Sequence, residues 1–214
     1  MRSFGPVVTV LALVSLAPGS VNAADLGVLV PKLKQGGYVL VVRHVETDDS
    51  QKDVYPFVFD DMKKQRQLSE QGRQKARDVG AAIKTLGVPI GQIYTSKLNR
   101  AIETGALMFG TQTTAVSELT DSGAGRVSAM ANPTGANTKI ELAIRELVNK
   151  PVKPGTNSVL ITHKTNIADG FGKNLGDVKE GEVLIYSPNA SGAPTLVDRV
   201  QPSEWTAQAG RTKS

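Results

Sequence analysis

The sequence predicts a three-layer α/β/α sandwich with a mostly parallel central sheet, and three observations carry that expectation. Beyond the N-terminal segment, helical and strand-like stretches alternate, the order that lays strands side by side with helices on both faces. Residues 38–42 and 158–162 are short, apolar and rich in β-branched side chains, as strands buried on both faces are. The chain's only two histidines follow those runs: His44 comes after Arg43, and His163 directly after Thr162. In such sheets, ligand sites form beyond the carboxyl ends of the strands.

Residues 1–23 have the form of a secretory signal peptide. Arg2 is the positive start, residues 7–17 are nearly unbroken apolar core, and Ala23 follows small residues at the expected cleavage site. That core is too short to span a bilayer as a stable helix. The expectation is therefore export to a bacterial periplasm or beyond. Residues 24–214 then form one domain, with no stable membrane insertion after cleavage.

Within that domain, residues 26–35 read as a helix closed by Gly36 and Gly37, although Pro31 lies inside it. Residues 45–67 are a long polar stretch holding Tyr55, Pro56, Phe57 and Phe59. Its aromatics read either as a rim over a site or as a satellite core under the loop. Ser69 is placed to cap a helix over 70–86, stopped by Gly87. A strand over 90–95, a helix over 97–109 and a strand over 113–116 follow. Residues 120–137 are rich in Gly, Ser, Ala and Asn and read as loop. A helix over 138–148, the strand 158–162, a short helix from about Asn166 and strands over 182–187 and 194–200 complete the order. The tail after Pro202 is polar and expected to be loose.

Composition narrows the function. There is no cysteine, which removes disulfides, thiolate chemistry and cysteine metal sites. The formal charge of +5 is scattered, with no basic block interleaved with aromatics, which argues against a nucleic-acid partner. A modest positive field suits a small anionic substrate. The histidines lack the HxH or HExxH spacing of a metal site, so no metal and no cofactor is expected.

Chemistry concentrates at the strand ends. Arg43 precedes His44, and Arg100 begins the helix after the strand that ends near Ser96. A guanidinium fork matches phosphate oxygens, and a neutral imidazole can attack phosphorus or move a proton. Arg43, Arg100, His44 and His163 together would hold a tetrahedral dianion. Arg66 and Arg73 read either as substrate contacts or, in preference, as solvated surface arginines, and Glu103 as a structural partner on the same helix face as Arg100.

Four segments in order resemble the histidine phosphatase superfamily, branch 1, the branch of the phosphoglycerate mutases. Arg43-His44-Val45-Glu46-Thr47 resembles its Arg-His-Gly-Glu-Thr signature, and Leu68-Ser69-Glu70-Gln71-Gly72 its Leu-Ser/Thr-x-x-Gly segment. Ser96 to Arg100, with Ala101 and Thr104, resembles Ser-x-x-x-Arg-Ala-x-x-Thr, and Val159 to His163 resembles the second histidine strand. The resemblance implies a phosphoglycerate mutase-like fold and a phosphatase that works through a phosphohistidine. It implies that His44 is the nucleophile and that Arg43, Arg100 and His163 bind the phosphoryl group. The acid of such proteins would fall at Asp121, with Glu118 as the alternative. Departures are visible: Val45 replaces the usual glycine, the phosphate-holding asparagine is absent near Ser50, and Lys164 and Thr165 follow His163. A β-branched residue at 45 resists a positive φ, and Lys164 would add a third cation. The expected activity is hydrolysis of a phosphomonoester by an exported enzyme. The alternative is a catalytically silent phosphate- or phosphosugar-binding protein of the same fold.

Overall fold

A computed structural model describes residues 25–110, 112–120 and 138–212. The expected signal peptide at 1–23, the loop 121–137 and Asp121 lie outside the described residues.

Helix α1 (Leu26–Gln35) begins at Asp25, whose carboxylate accepts the Gly27 N–H. Pro31 lies within α1. Its ring nitrogen leaves the Gly27 carbonyl without the usual helical donor. Gly36 ends α1 at φ 78°, and a Cβ there would stand 2.5 Å from the Thr156 nitrogen, so only glycine fits. Strand β1 (Val39–Arg43) follows, then the long loop, which contains one 3-10 turn at Met62–Lys64. Helix α2 (Glu70–Thr85) is capped by Ser69 Oγ, which accepts the Gly72 N–H at 3.0 Å. Next come β2 (Ile90–Ser96), α3 (Asn99–Phe109), β3 (Thr114–Val116), α4 (Thr138–Val148), β4 (Asn157–Thr162), α5 (Lys164–Phe171), β5 (Val183–Ser187), β6 (Thr195–Val200) and α6 (Pro202–Arg211).

The six strands form one sheet in the order β3-β2-β4-β1-β5-β6. The pairs β1/β4, β2/β3 and β2/β4 are parallel, while β5 runs against both its neighbours. Only β5 is therefore reversed, and the sheet is mostly parallel as expected. Alternation along β1 divides the core. Leu40 and Val42 pack with Leu33 of α1, Val79 of α2, Ala101 of α3 and Trp205 of α6. Val39 and Val41 face Ile144 of α4 and Ile167 of α5. The central strands β1 and β4 are thus covered on both sides, which explains their unbroken apolar runs.

Three expectations need correction. The tail is not loose: α6 has Pro202 at its first position, Glu204 accepts the Gln201 N–H at 2.6 Å in a capping box, and Trp205 is fully buried. Helix α3 starts at Asn99, two residues late, because Ser96 Oγ accepts the Leu98 N–H and the chain stays extended through Leu98. Helix α5 starts immediately after His163 rather than near Asn166. Among the described residues, no helix is long and apolar enough to cross a membrane.

Candidate active site

Parallel pairing puts the two histidines together. Arg43 stands opposite Thr162 in the register of β1 and β4, and the His44 N–H donates to the Thr162 carbonyl at 3.1 Å. Both rings are buried, with centroids 5.2 Å apart in an edge-to-face arrangement. His44 Nδ1 lies 2.8 Å from the Val45 carbonyl. That oxygen only accepts, so Nδ1 carries the hydrogen and Nε2 keeps its lone pair. Val45 is fully buried, and no described non-glycine residue has a positive φ, so a β-branched side chain fits where glycine is usual. What this position supplies is its backbone oxygen.

His163 Nε2 is 2.8 Å from Ser96 Oγ. Ser96 Oγ accepts the Leu98 N–H and keeps its own hydrogen available for Nε2, an arrangement that puts the ring hydrogen on Nδ1. Nδ1 is buried with no hydrogen-bond partner among the described residues. A buried donor without an acceptor costs about 1–3 kcal/mol, which an anion at this spot would recover. Both imidazoles are held well below the ordinary histidine range. Burial is the main cause for each; for His44, His163, Arg100 and Arg43 add to it against the Val45 carbonyl, and for His163 the arginines 100, 66 and 43 do. Both rings are neutral at pH 7.

The arginines arrive by three routes. Arg100 is the second residue of α3, completely buried, with Nη1 3.0 Å from Oδ1 of Asp53, whose side chain is 8% exposed. The same Oδ1 accepts the Arg66 N–H at 2.9 Å. Arg43 is less open to an anion than the sequence suggested. Its Nη1 donates to the Val178 carbonyl at 2.7 Å and its Nη2 to Glu180 at 2.8 Å, while Nε is buried without a partner. Arg66 is half-buried, 3.5 Å from Asp49, with its backbone N–H held by Asp53. Arg73 and Glu103 pair with each other at 2.6 Å, bridging α2 and α3, so Glu103 is not a partner of Arg100. The N-termini of α3 and α5 open onto the same strand ends, and their helix dipoles favour negative charge there.

Sequence reasoning missed the residues that hold the loop. Gln65 is fully buried; its Nε2 donates to the carbonyls of Val58 and Phe59, and its Oε1 accepts the Asn99 N–H at 2.9 Å. Asp53 ties the same loop to Arg100. Neither sits in a periodic segment, so only a polar residue without an obvious solvent role hinted at them. On the other side, Thr162 Oγ1 donates to the Leu119 carbonyl at 2.8 Å, and Asn166 Nδ2 to Thr120 O at 3.0 Å. Thr120 Oγ1 in turn accepts the Lys97 N–H at 3.2 Å. Glu118 is exposed, and Lys164 is half-buried.

An α/β/α sandwich around a mostly parallel sheet, with two imidazoles and several guanidinium groups at the carboxyl edge, has the phosphoglycerate mutase-like fold. Residues 39–137 match the family model of the histidine phosphatase superfamily, branch 1. Solved structures agree on the fold. The protein histidine phosphatase SixA complexed with tungstate is similar at 18% identity and a TM-score of 0.53, covering 78% of this chain and 97% of its own. A phosphoserine phosphatase mutant from Entamoeba histolytica, in complex with phosphoserine, gives 14%, 0.54, 78% and 98% for the same measures. The alpha-ribazole phosphatase from Shigella flexneri gives 15%, 0.53, 77% and 96%. No curated protein sequence matches the chain.

Proposed function

We propose that the protein is an exported phosphatase that hydrolyses a small phosphomonoester through a phosphohistidine on His44, with no metal or cofactor. The observation that carries this reading is the His44 ring: Nδ1 is fixed on the Val45 carbonyl, so a neutral Nε2 is left beside His163 and the arginines. Nε2 attacks phosphorus, the N–P bond forms, and the bond to the leaving oxygen breaks. Arg100, Arg43 and the His163 Nδ1–H hold the charge on the equatorial oxygens. Asp121 protonates the leaving alkoxide, then takes a proton from water. The water oxygen attacks phosphorus, the N–P bond breaks, and inorganic phosphate leaves with His44 neutral again. Support for Asp121 over Glu118 comes from the exposure of Glu118 and from Thr120, the residue before Asp121, which is bonded to Asn166 and Lys97 at the site. The bound tungstate and phosphoserine in the similar structures agree with a tetrahedral oxyanion as ligand.

A silent phosphate-binding protein is the second reading, favoured by the engagement of both Arg43 terminal nitrogens and by the Asp53 carboxylate on Arg100. Hydrolysis of p-nitrophenyl phosphate, with acid-labile phosphate trapped on the enzyme and both lost in His44→Ala, supports the phosphatase. Phosphate binding by the wild type without turnover supports the binder. Export rests on residues 1–23, and N-terminal sequencing of secreted protein that begins near Ala24 would establish it.

A further inference from the structure

The loop between β1 and α2 carries a ladder of aromatic rings at the mouth of the site. Ring centroids of Tyr55 and Phe57 are 4.8 Å apart, and those of Phe57 and Phe59 are 5.9 Å apart. The Lys97 ammonium lies 6.0 Å from the centre of the Phe59 ring. None of the three rings belongs to either core cluster; they contact one another, with Phe57 half-buried and Tyr55 and Phe59 exposed. Val54, Tyr55, Phe59 and Met62 are 47, 47, 40 and 45% exposed, half of the eight strongly exposed large hydrophobic residues among those described. Single exposed apolar residues are ordinary, but a cluster on one functional loop marks a binding surface.

This surface is fixed in place and next to the proposed phosphoryl seat. Asp53, two residues before Tyr55, is paired with Arg100. The Phe59 carbonyl is held by Gln65, which also holds the Asn99 N–H beside Arg100. Lys97 connects the far side, since its N–H reaches Thr120, the residue before the proposed acid. An ester seated on Arg100 with its leaving oxygen toward Thr120 would be flanked by the two segments that carry Phe59 and Lys97.

We infer that this ladder binds the alcohol portion of the substrate, and that this portion contains a planar aromatic ring. The inference rests on the phosphatase reading and names its substrate class. Rings offer their faces to other rings, and an aromatic pair contributes stabilisation beyond its buried area. A polyol would lose hydration against these faces and find no matching hydrogen-bond partners there. The ammonium on Phe59 also attracts an electron-rich π face. Two sources share this chemistry: an arylalkyl or aryl phosphate, and a nucleoside monophosphate with its ring one sugar from phosphorus.

The test uses substrates matched in leaving-group basicity, with the mature wild-type protein. Benzyl phosphate is compared with cyclohexylmethyl phosphate, and adenosine 5′-monophosphate with ribose 5-phosphate. The ring-bearing member of at least one pair is expected to exceed its partner about tenfold in kcat/KM, mainly through KM. The pair that shows the gap identifies the source. Ratios near one in both pairs, or a saturated ring preferred over the aromatic one, overturn the inference while leaving the phosphatase intact. Should no ester turn over, calorimetric binding of benzylphosphonate against cyclohexylmethylphosphonate decides the ladder independently of catalysis. Phe57→Ala and Phe59→Ala are expected to collapse the preference and Phe57→Tyr to keep it; the wild-type ratios stand whether or not these variants fold.

Discussion

At the residue scale, the proposed chemistry depends on which ring nitrogen carries hydrogen. Val45 O sets this for His44 and Ser96 Oγ for His163. Ser96→Ala removes the partner of His163 Nε2 and lets the hydrogen move there, away from the anion side. One hydrogen bond of about 1.4 kcal/mol corresponds to a tenfold effect, so kcat/KM is expected to fall about tenfold or more. Phosphate affinity should weaken alongside it while the melting temperature stays close to that of the wild type; steady-state kinetics and calorimetry with phosphate check both. The positions of these residues were partly legible. His44, His163 and Arg100 stand at strand ends within short motifs, and the sequence brings them to one edge. Asp53, Gln65 and Arg66 were not legible, because their partners lie tens of positions away and no period connects them. Arg43 shows the opposite error: its place beside His44 was readable, but not that Val178 and Glu180 would occupy its terminal nitrogens.

At the element scale, the loop 45–67 has few periodic signals and is shaped by side-chain bonds to its backbone. Gln65→Ala leaves the carbonyls of Val58 and Phe59 and the Asn99 N–H without that partner. A loss of about 1–3 kcal/mol is expected. Hydrogen exchange of residues 53–65 should accelerate well before that of β1 or β4, and KM should rise more than kcat falls. Equal exchange rates in wild type and variant would show that the loop is held by other means. Most helices and strands matched the sequence closely because caps and glycines mark them, as Ser69 and Gly36 do. Helix α6 was overlooked because polar composition outweighed sharper signals: Pro202 at the first turn, Glu204 three residues after Gln201, and Trp205 four before Ala209.

For the whole molecule, the order of strands follows from alternating helices and strands, yet only the coordinates show that β4 enters between β2 and β1. That insertion is what brings residues 44 and 163 together. It also makes stability sensitive to acid. The unfolded histidines take up protons below about pH 6.5, whereas burial and the neighbouring arginines keep the folded rings neutral to well below that. The unfolded state then binds more protons, so stability is full above about pH 6.5 and declines as pH falls beneath it. Each histidine contributes up to about 1.4 kcal/mol per pH unit until its folded pKa is reached. Denaturant unfolding followed by the buried Trp205, together with NMR titration of the two imidazoles, reads both sides of this linkage. Histidines that titrate near pH 6.5 in the folded protein would contradict it.

The three guanidinium groups around the imidazoles each stand next to a carboxylate: Arg43 with Glu180, Arg66 with Asp49, and Arg100 with Asp53. Seen from a distance, these three pairs cancel, and a phosphate dianion feels little pull from the guanidinium groups until it is within touching range. Capture should then proceed by ordinary diffusion rather than by guided approach. Stopped-flow association rates for vanadate or phosphate are expected to change by less than about twofold between 0.02 and 0.3 M salt, where a bare triple-arginine cleft would slow steeply.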